Sequence, residues 1–312
     1  MRESSTRPRT RVWLRYGFWA LGFFLLSSAC GRKHPHALVF QTDFGTRDGA
    51  VAAMKGVAFG VSSDLPIFDL THEIPPFDVW RAAYRLRQAA AYWPEGTVFV
   101  SVVDPGVGTR RKSVVLKTDS GHYFVSPDNG TLTLVADDLG IAEVREIDER
   151  RHRRPGSEAS YTFHGRDIYA LTGAKLAAGR ITFEEVGQKL PREVVRLPYA
   201  KARFEHGAVN GTVEILDEPF GNVWTNITRE VFGRLGVAIG QKVRVRIEHA
   251  GRVVFHRVVP FVHTFGDVPV GEPLLYFNSL ERVALAINQG DLARTFGVAA
   301  GGDWSVQIFR VQ

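Results

Sequence analysis

The feature that most restricts this chain is a pattern repeated through its first half. A short apolar run ends in a polar loop carrying Gly or Pro, and a helix-forming segment follows. Ala37-Leu-Val-Phe-Gln-Thr42 reads as a buried strand, breaks at Asp43-Phe-Gly-Thr46, and gives way to a helix from Ala50 to Phe59. Ile67-Phe-Asp-Leu70 is a second strand, and Asp78 to Trp93 places Val79, Ala83, Leu86 and Ala90 on one helical face. Pro94-Glu-Gly96 breaks that helix, and Thr97 to Val103 is strongly β-prone. Alternation on this scale predicts an α/β domain around a largely parallel sheet. In open α/β sheets, ligands gather outside the carboxyl ends of the strands. The loops TDFG, THEIPP, VVDPGVGT and SPDNG all stand at such ends.

Beyond Arg196 to Arg203, which reads as a linker, the texture changes. Val209 to Leu216, Lys242 to His249, Val253 to Pro260 and Trp304 to Val311 alternate with period two between Gly-containing turns, as a smaller, mainly antiparallel β domain does. The reading divides the chain into a leader and tether at 1–36, an α/β catalytic domain at 37–197 and a β domain at 198–312. The leader holds five arginines and one acid within residues 1–29, four of the six net positive charges, so the body is nearly neutral. A nearly neutral body argues against a nucleic-acid partner. Arg2 to Arg15 followed by the apolar Tyr16 to Leu26 is too short to span a bilayer comfortably and fits an export signal. The small residues ending at Cys30, the chain's only cysteine, are similar to a bacterial lipobox, which makes Cys30 the candidate lipidation site. The expected location is therefore outside the cytosol, with membrane contact only through the leader or its lipid; an uncleaved anchor and a start codon placed too early are the other readings. A single cysteine excludes disulfides within the chain and Cys-based metal sites.

No P-loop, GxGxxG, GxSxG or HExxH motif is present, and His72-Glu73 lacks a second histidine at helical spacing. No metal site is expected. Three polar elements remain. Asp104 and Arg111 share a loop locked by Pro105, Gly106 and Gly108; His164 sits in Thr162-Phe-His-Gly-Arg-Asp167 at a helix start; and Asp217 to Asn226 combines Phe220 and Trp224 with Asn222. Taken alone, each also reads as ordinary structure: a tight turn, a packed helix-start histidine, a β-turn over core aromatics. The run Arg150 to Arg154 reads as a solvated loop and is assigned no role.

In this order, TDFG, THEIPP, VVDPGVGTRR, PDNG, TFHGRD and FGNVWTN resemble the S-adenosylmethionine hydroxide adenosyltransferase family, which is related to the fluorinases and chlorinases. The resemblance implies an N-terminal α/β domain, a C-terminal antiparallel β-barrel and a homotrimer with sites between subunits. It implies a catalytic triad of Asp104, Arg111 and His164, with Asp43 on the ribose hydroxyls and Asp217 and Ser279 on the methionine moiety. Phe220, Asn222, Trp224 and Asp48 complete the implied substrate contacts. The halogenases carry Tyr-Ser where this chain has His164-Gly165, and an insertion absent between Glu73 and Val103; both differences favour water over halide. The family's frequent LEIAVN is Val283-Ala-Leu-Ala-Ile-Asn288 here, with Ala284 in place of a glutamate.

The implied reaction is hydrolysis of S-adenosylmethionine, as substrate rather than cofactor, to adenosine and methionine. A sulfonium leaves as a neutral thioether and needs no metal to do so. His164 and Asp104 would orient a water and take its proton, with Arg111 keeping Asp104 ionised. The rival readings are a halide transferase, an adenosine-binding lipoprotein without turnover, and a structural envelope protein.

Overall fold

The computed structural model describes residues 36–311. The segment read as an export leader and Cys30 lie outside the described residues. A seven-stranded sheet comprises β1 (Leu38–Thr42), β2 (Ile67–Thr71), β3 (Val98–Val102), β4 (Ser113–Lys117), β5 (Tyr123–Pro127), β6 (Glu143–Glu146) and β7 (Lys189–Leu190), in the order β2-β1-β3-β5-β4-β6-β7. The four strands β2, β1, β3 and β5 run parallel, while β4, β6 and β7 add an antiparallel edge.

Every residue of β1 and β3 is buried. Helices cover both faces of a parallel sheet, so its central strands are apolar without alternation. Helix α1 (Ala50–Val61) packs Met54 and Ala58 against Leu38, Phe40 and Val100 on one face. Helix α2 (Val79–Ala90) puts Leu86 and Ala90 against Val39 and Phe99 on the other. Asp78 starts α2 by accepting the Arg81 N–H at 2.9 Å, an N-cap that satisfies one of the helix's orphan donors.

The second sheet comprises β8 (Arg203–Glu205), β9 (Ala208–Asp217), β10 (Asn222–Thr228), β11 (Lys242–His249), β12 (Arg252–Pro260), β13 (Pro273–Phe277), β14 (Arg282–Ile287) and β15 (Trp304–Arg310). Its order is β12-β11-β15-β9-β10-β14-β13, with β8 paired to β9, and all the strand pairs are antiparallel. A bridge from Phe261 to Leu275 brings the end of β12 to β13 and nearly closes a barrel around Val213, Val245, Phe255, Leu285 and Ile308. The two sheets are tied by α2: Trp80 Nε1 donates to the Glu214 carbonyl at 2.8 Å, and Arg87 pairs with the Glu214 carboxylate in a buried position.

Candidate active site

β1 and β3 are parallel neighbours in register, Thr42 opposite Val102, so the residues that follow them leave the sheet side by side. Asp43 directly follows β1 and Asp104 follows β3 after Val103, and both line one cavity of about 290 Å³ with Phe44, Phe77, Phe163 and His164. The Asp104 loop turns back through a Val107 N–H bond to the Asp104 carbonyl at 3.2 Å. Gly108 takes φ +77°, and a Cβ there would lie 3.1 Å from the Tyr161 carbonyl oxygen, so two constraints require glycine. Asn129 of the PDNG loop donates to the Val103 carbonyl at 2.8 Å and fixes the approach to Asp104.

The reversal brings Arg111 onto Asp104. Its Nη2 lies 2.6 Å from Oδ2, and its Nε lies 3.1 and 3.0 Å from Oδ1 and Oδ2. The same Nη2 is 3.0 Å from His164 Nδ1. A guanidinium has only donors, so Nδ1 must accept, and the neutral ring carries its hydrogen on Nε2. Burial pushes the His164 pKa down; Glu149 opposes this, while Arg111 and Arg153 add to it. Nε2 is buried with no protein partner. His164, which lines the cavity, therefore carries an N–H donor that no protein group accepts. This changes the division of labour expected from sequence, in which His164 shares in taking a proton. Of the three side chains, Asp104 alone keeps spare acceptor capacity.

Arg111 is held in turn. Its Nη1 donates to Ser113 Oγ at 3.1 Å, and that hydroxyl contacts Glu149 Oε1 at 2.9 Å and the Tyr169 hydroxyl at 3.1 Å. Burial opposes the charge on Arg111, but the bonds from Asp104, with Tyr169 and Glu149 nearby, outweigh it and raise its pKa. Burial also raises the pKa of Asp43; the Phe77 N–H pulls it back and the nearby Asp104 carboxylate adds to the rise.

His164 immediately precedes a π-helical turn, Gly165–Ala170, a geometry frequent at functional sites. Two members of the arginine run read as solvated contribute to this wall. Arg154 bonds the fully buried Asp167 of the π-turn at 2.9 Å, and Arg153 bonds Glu149 at 3.1 Å. The sequence shows the charge block but not the buried acid that it meets.

A second cavity, about 870 Å³, opens in the barrel half and is lined by Asp217, Phe220, Asn222, Trp224 and Ser279. Asn222 Nδ2 donates to Asp217 Oδ2 at 3.0 Å. Phe265, Tyr276, Asn278, Asn288 and Arg294 also line it, and the sequence reading missed them as site residues. Only Asn288 had a signal, as the last residue of the VALAIN motif. Ala284 does not reach this cavity. It is buried between Trp224 and Tyr276 across the strands, and the Trp224 indole N–H has no protein acceptor. Asp48 lines neither cavity: it is exposed and accepts the Ala50 N–H at 2.9 Å at the start of α1. Among the described residues, no group of three or more His, Cys, Asp or Glu side chains is gathered closely enough to hold a metal ion.

A carboxylate, a guanidinium and a neutral imidazole joined at the strand ends of an α/β sheet, beside a barrel with a polar and aromatic cavity, define an enzyme acting on a small molecule. The chain belongs to the SAM hydroxide adenosyltransferase family, matching its N-terminal domain over residues 38–187 and its C-terminal domain over residues 211–305. It is 39% identical over 263 residues to the (R)-S-adenosyl-L-methionine hydrolase of Salinispora tropica, covering 84% of this chain and 94% of that protein. A fluorinase from an Actinoplanes species is 32% identical over 289 residues, covering 85% and 95%. The crystal structure of an uncharacterized conserved protein from Thermotoga maritima is similar with a TM-score of 0.80 at 39% identity, covering 88% of this chain and 100% of that one.

Proposed function

We propose that this enzyme hydrolyses S-adenosylmethionine to adenosine and methionine by in-line attack of water at C5′. The observation that carries the reading is the Asp104–Arg111–His164 cluster, in which a buried N–H donor without a protein partner stands beside an arginine-braced carboxylate at one cavity wall. In this reaction the water oxygen bonds to C5′ as the C5′–S bond breaks, and its electron pair passes to sulfur. The sulfonium becomes the neutral thioether of methionine, and the proton shed by the new 5′-hydroxyl passes to Asp104. His164 Nε2–H orients the water, and Arg111 holds both partners. Fixing the water in line is the main contribution, since well-oriented systems recover about 7–11 kcal/mol. Asp43 binds the ribose hydroxyls, and the barrel cavity takes the adenine and methionine ends.

The two cavities share no residue. The first is also slightly below the range of about 300–1,000 Å³ usual for small-molecule sites. Exposed apolar side chains stand around both: Phe77, Val107 and Tyr161 near the first, Phe220 and Phe265 at the second. These features support a homotrimer in which residues 37–197 of one subunit and 198–312 of the next complete a site, with mass by light scattering as the check. Residues 1–29 are assigned to export and Cys30 to lipidation, which the intact mass of the N-terminal peptide tests.

Halide transfer is the second reading, because fluorinases are among the relatives. A Cβ on Gly165 would lie 3.2 Å from the Phe44 ring and 3.4 Å from Val102, so the serine of the halogenases would crowd Phe44 and require it to shift. The deciding experiment is incubation with S-adenosylmethionine and chloride in ¹⁸O-water. Adenosine labelled at O5′ supports hydrolysis; unlabelled adenosine or 5′-chloro-5′-deoxyadenosine overturns it.

A further inference from the structure

His72 belongs to the THEIPP loop, and the site described above does not use it. Its ring is buried, 4% exposed, with both nitrogens occupied. Nε2 lies 3.0 Å from Asp69 Oδ1, and Asp69 Oδ2 receives Lys55 Nζ at 2.6 Å. A carboxylate only accepts, so Nε2 carries the hydrogen, and in the neutral ring Nδ1 accepts the Thr42 hydroxyl at 2.8 Å. The Thr42 oxygen then receives the Phe44 N–H at 3.2 Å. Hydroxyl, imidazole and carboxylate follow one another as in a hydrolytic relay, but Thr42 is fully buried and lines neither cavity of the site, so it is no nucleophile.

What the relay does contact is the turn bearing Asp43. The His72 carbonyl accepts the Gly45 N–H at 2.7 Å, and the neighbouring Glu73 Oε1 accepts the Thr46 hydroxyl at 3.1 Å. Four residues further on, the Phe77 N–H bonds the Asp43 carboxylate itself at 2.9 Å. The 42–46 turn is thus gripped on both sides of Asp43 by one segment, with the His72 ring as its buried anchor.

We propose that His72 is a positioning residue that, through Thr42, fixes the aim of the Asp43 carboxylate at the sugar hydroxyls; this rests on reading Asp43 as the substrate-binding acid. Fully satisfied buried polar networks rigidify what they hold. A misplacement of about 1 Å in such a group can cost about 10²-fold in rate.

The test is a double-mutant cycle on the full chain, reading kcat/KM, adenosine affinity by calorimetry and Tm. His72→Leu is expected to lower kcat/KM by about 10–100-fold and to weaken adenosine binding, with His72→Gln recovering part of both. Thr42→Val keeps the shape, loses only the hydroxyl, and is expected to move both readouts in the same direction should His72→Leu fail to fold. In an Asp43→Asn background, either substitution is expected to cost less than about threefold more, because the group being aimed is already impaired. Equal losses in both backgrounds, or wild-type kcat/KM in a folded Thr42→Val, overturn the positioning role while leaving the Asp43 reading intact. Wild-type kcat/KM in Asp43→Asn itself overturns the Asp43 reading, and the proposal with it.

Discussion

Replacing His164 by alanine distinguishes a hydrogen-bond donor from a base, because the two roles have different magnitudes and different pH signatures. As a donor, His164 gives the attacking water one hydrogen bond, about 0.5–1.5 kcal/mol net. Its Nδ1 bond to Arg111, at 3.0 Å, is charge-assisted and of the order of 1.5–3 kcal/mol, but Arg111 keeps its three contacts with Asp104. At 1.36 kcal/mol per tenfold, the donor bond alone is worth about 2–13-fold, and partial loss of the Arg111 contact brings the expected loss in kcat to about 10–100-fold. Asp104→Asn removes the proton acceptor and is expected to cost about 10²–10⁴-fold, the usual range for general-base catalysis. The assay is adenosine release followed by chromatography across the pH range, for wild type and both variants. Burial lowers the His164 pKa and that of Asp43 is raised, so an acid limb of kcat/KM to which Asp43 contributes is expected to persist in His164→Ala. An acid limb that disappears in His164→Ala, or a His164→Ala loss larger than that of Asp104→Asn, would refute the donor assignment.

Asp43 has a higher pKa folded than as a free carboxylate, so the folded chain holds that proton more tightly than the unfolded one. Its charge therefore subtracts stability at neutral pH, and the penalty fades as pH falls through the folded pKa. Asp43→Asn is expected to keep or slightly raise Tm at neutral pH while kcat/KM falls about 10–100-fold through loss of a charge-assisted bond; a clear drop in Tm contradicts this. Gly165→Ser is expected to slow hydrolysis at least tenfold, roughly the effect of 1–3 kcal/mol of overpacking against Phe44 and Val102, without forming chlorinated product. Its chloride incubation is the check. Glu214→Gln leaves the buried Arg87 with only the more distant Asp138, at 3.9 Å, as counter-charge and is expected to cost about 3 kcal/mol, measured by denaturant unfolding.

The central strands and the loop ends of the first domain were legible because burial on both faces leaves β1 and β3 mostly apolar, with Gln41, Thr42 and Ser101 towards their carboxyl ends. Pairing direction was not legible in the same way. β4 carries a buried apolar centre like that of β3, and the short Thr118 to His122 connection makes it antiparallel to β5. Asp119-Ser-Gly121 between two apolar runs is a hairpin signal that the strand-and-helix rhythm obscured. At the site, Asp104 and Arg111 lie close in sequence and meet in the fold. The ring tautomer of His164 was invisible, since it depends on which neighbour a guanidinium reaches across 53 residues. Asp48 shows the opposite case: a carboxylate in a recognised motif whose geometry serves a helix start.

The complete separation of the two cavities on one polypeptide has a genetic consequence. If sites form between subunits as proposed, lesions that act through Asp104 and those that act through Asn222 damage different halves of a composite site. In an assembly built from both kinds of subunit, some junctions would join an intact α/β face to an intact barrel face. Two inactive alleles of a single gene would then restore each other, and its loss-of-function mutations would fall into two classes that map to opposite sides of the linker.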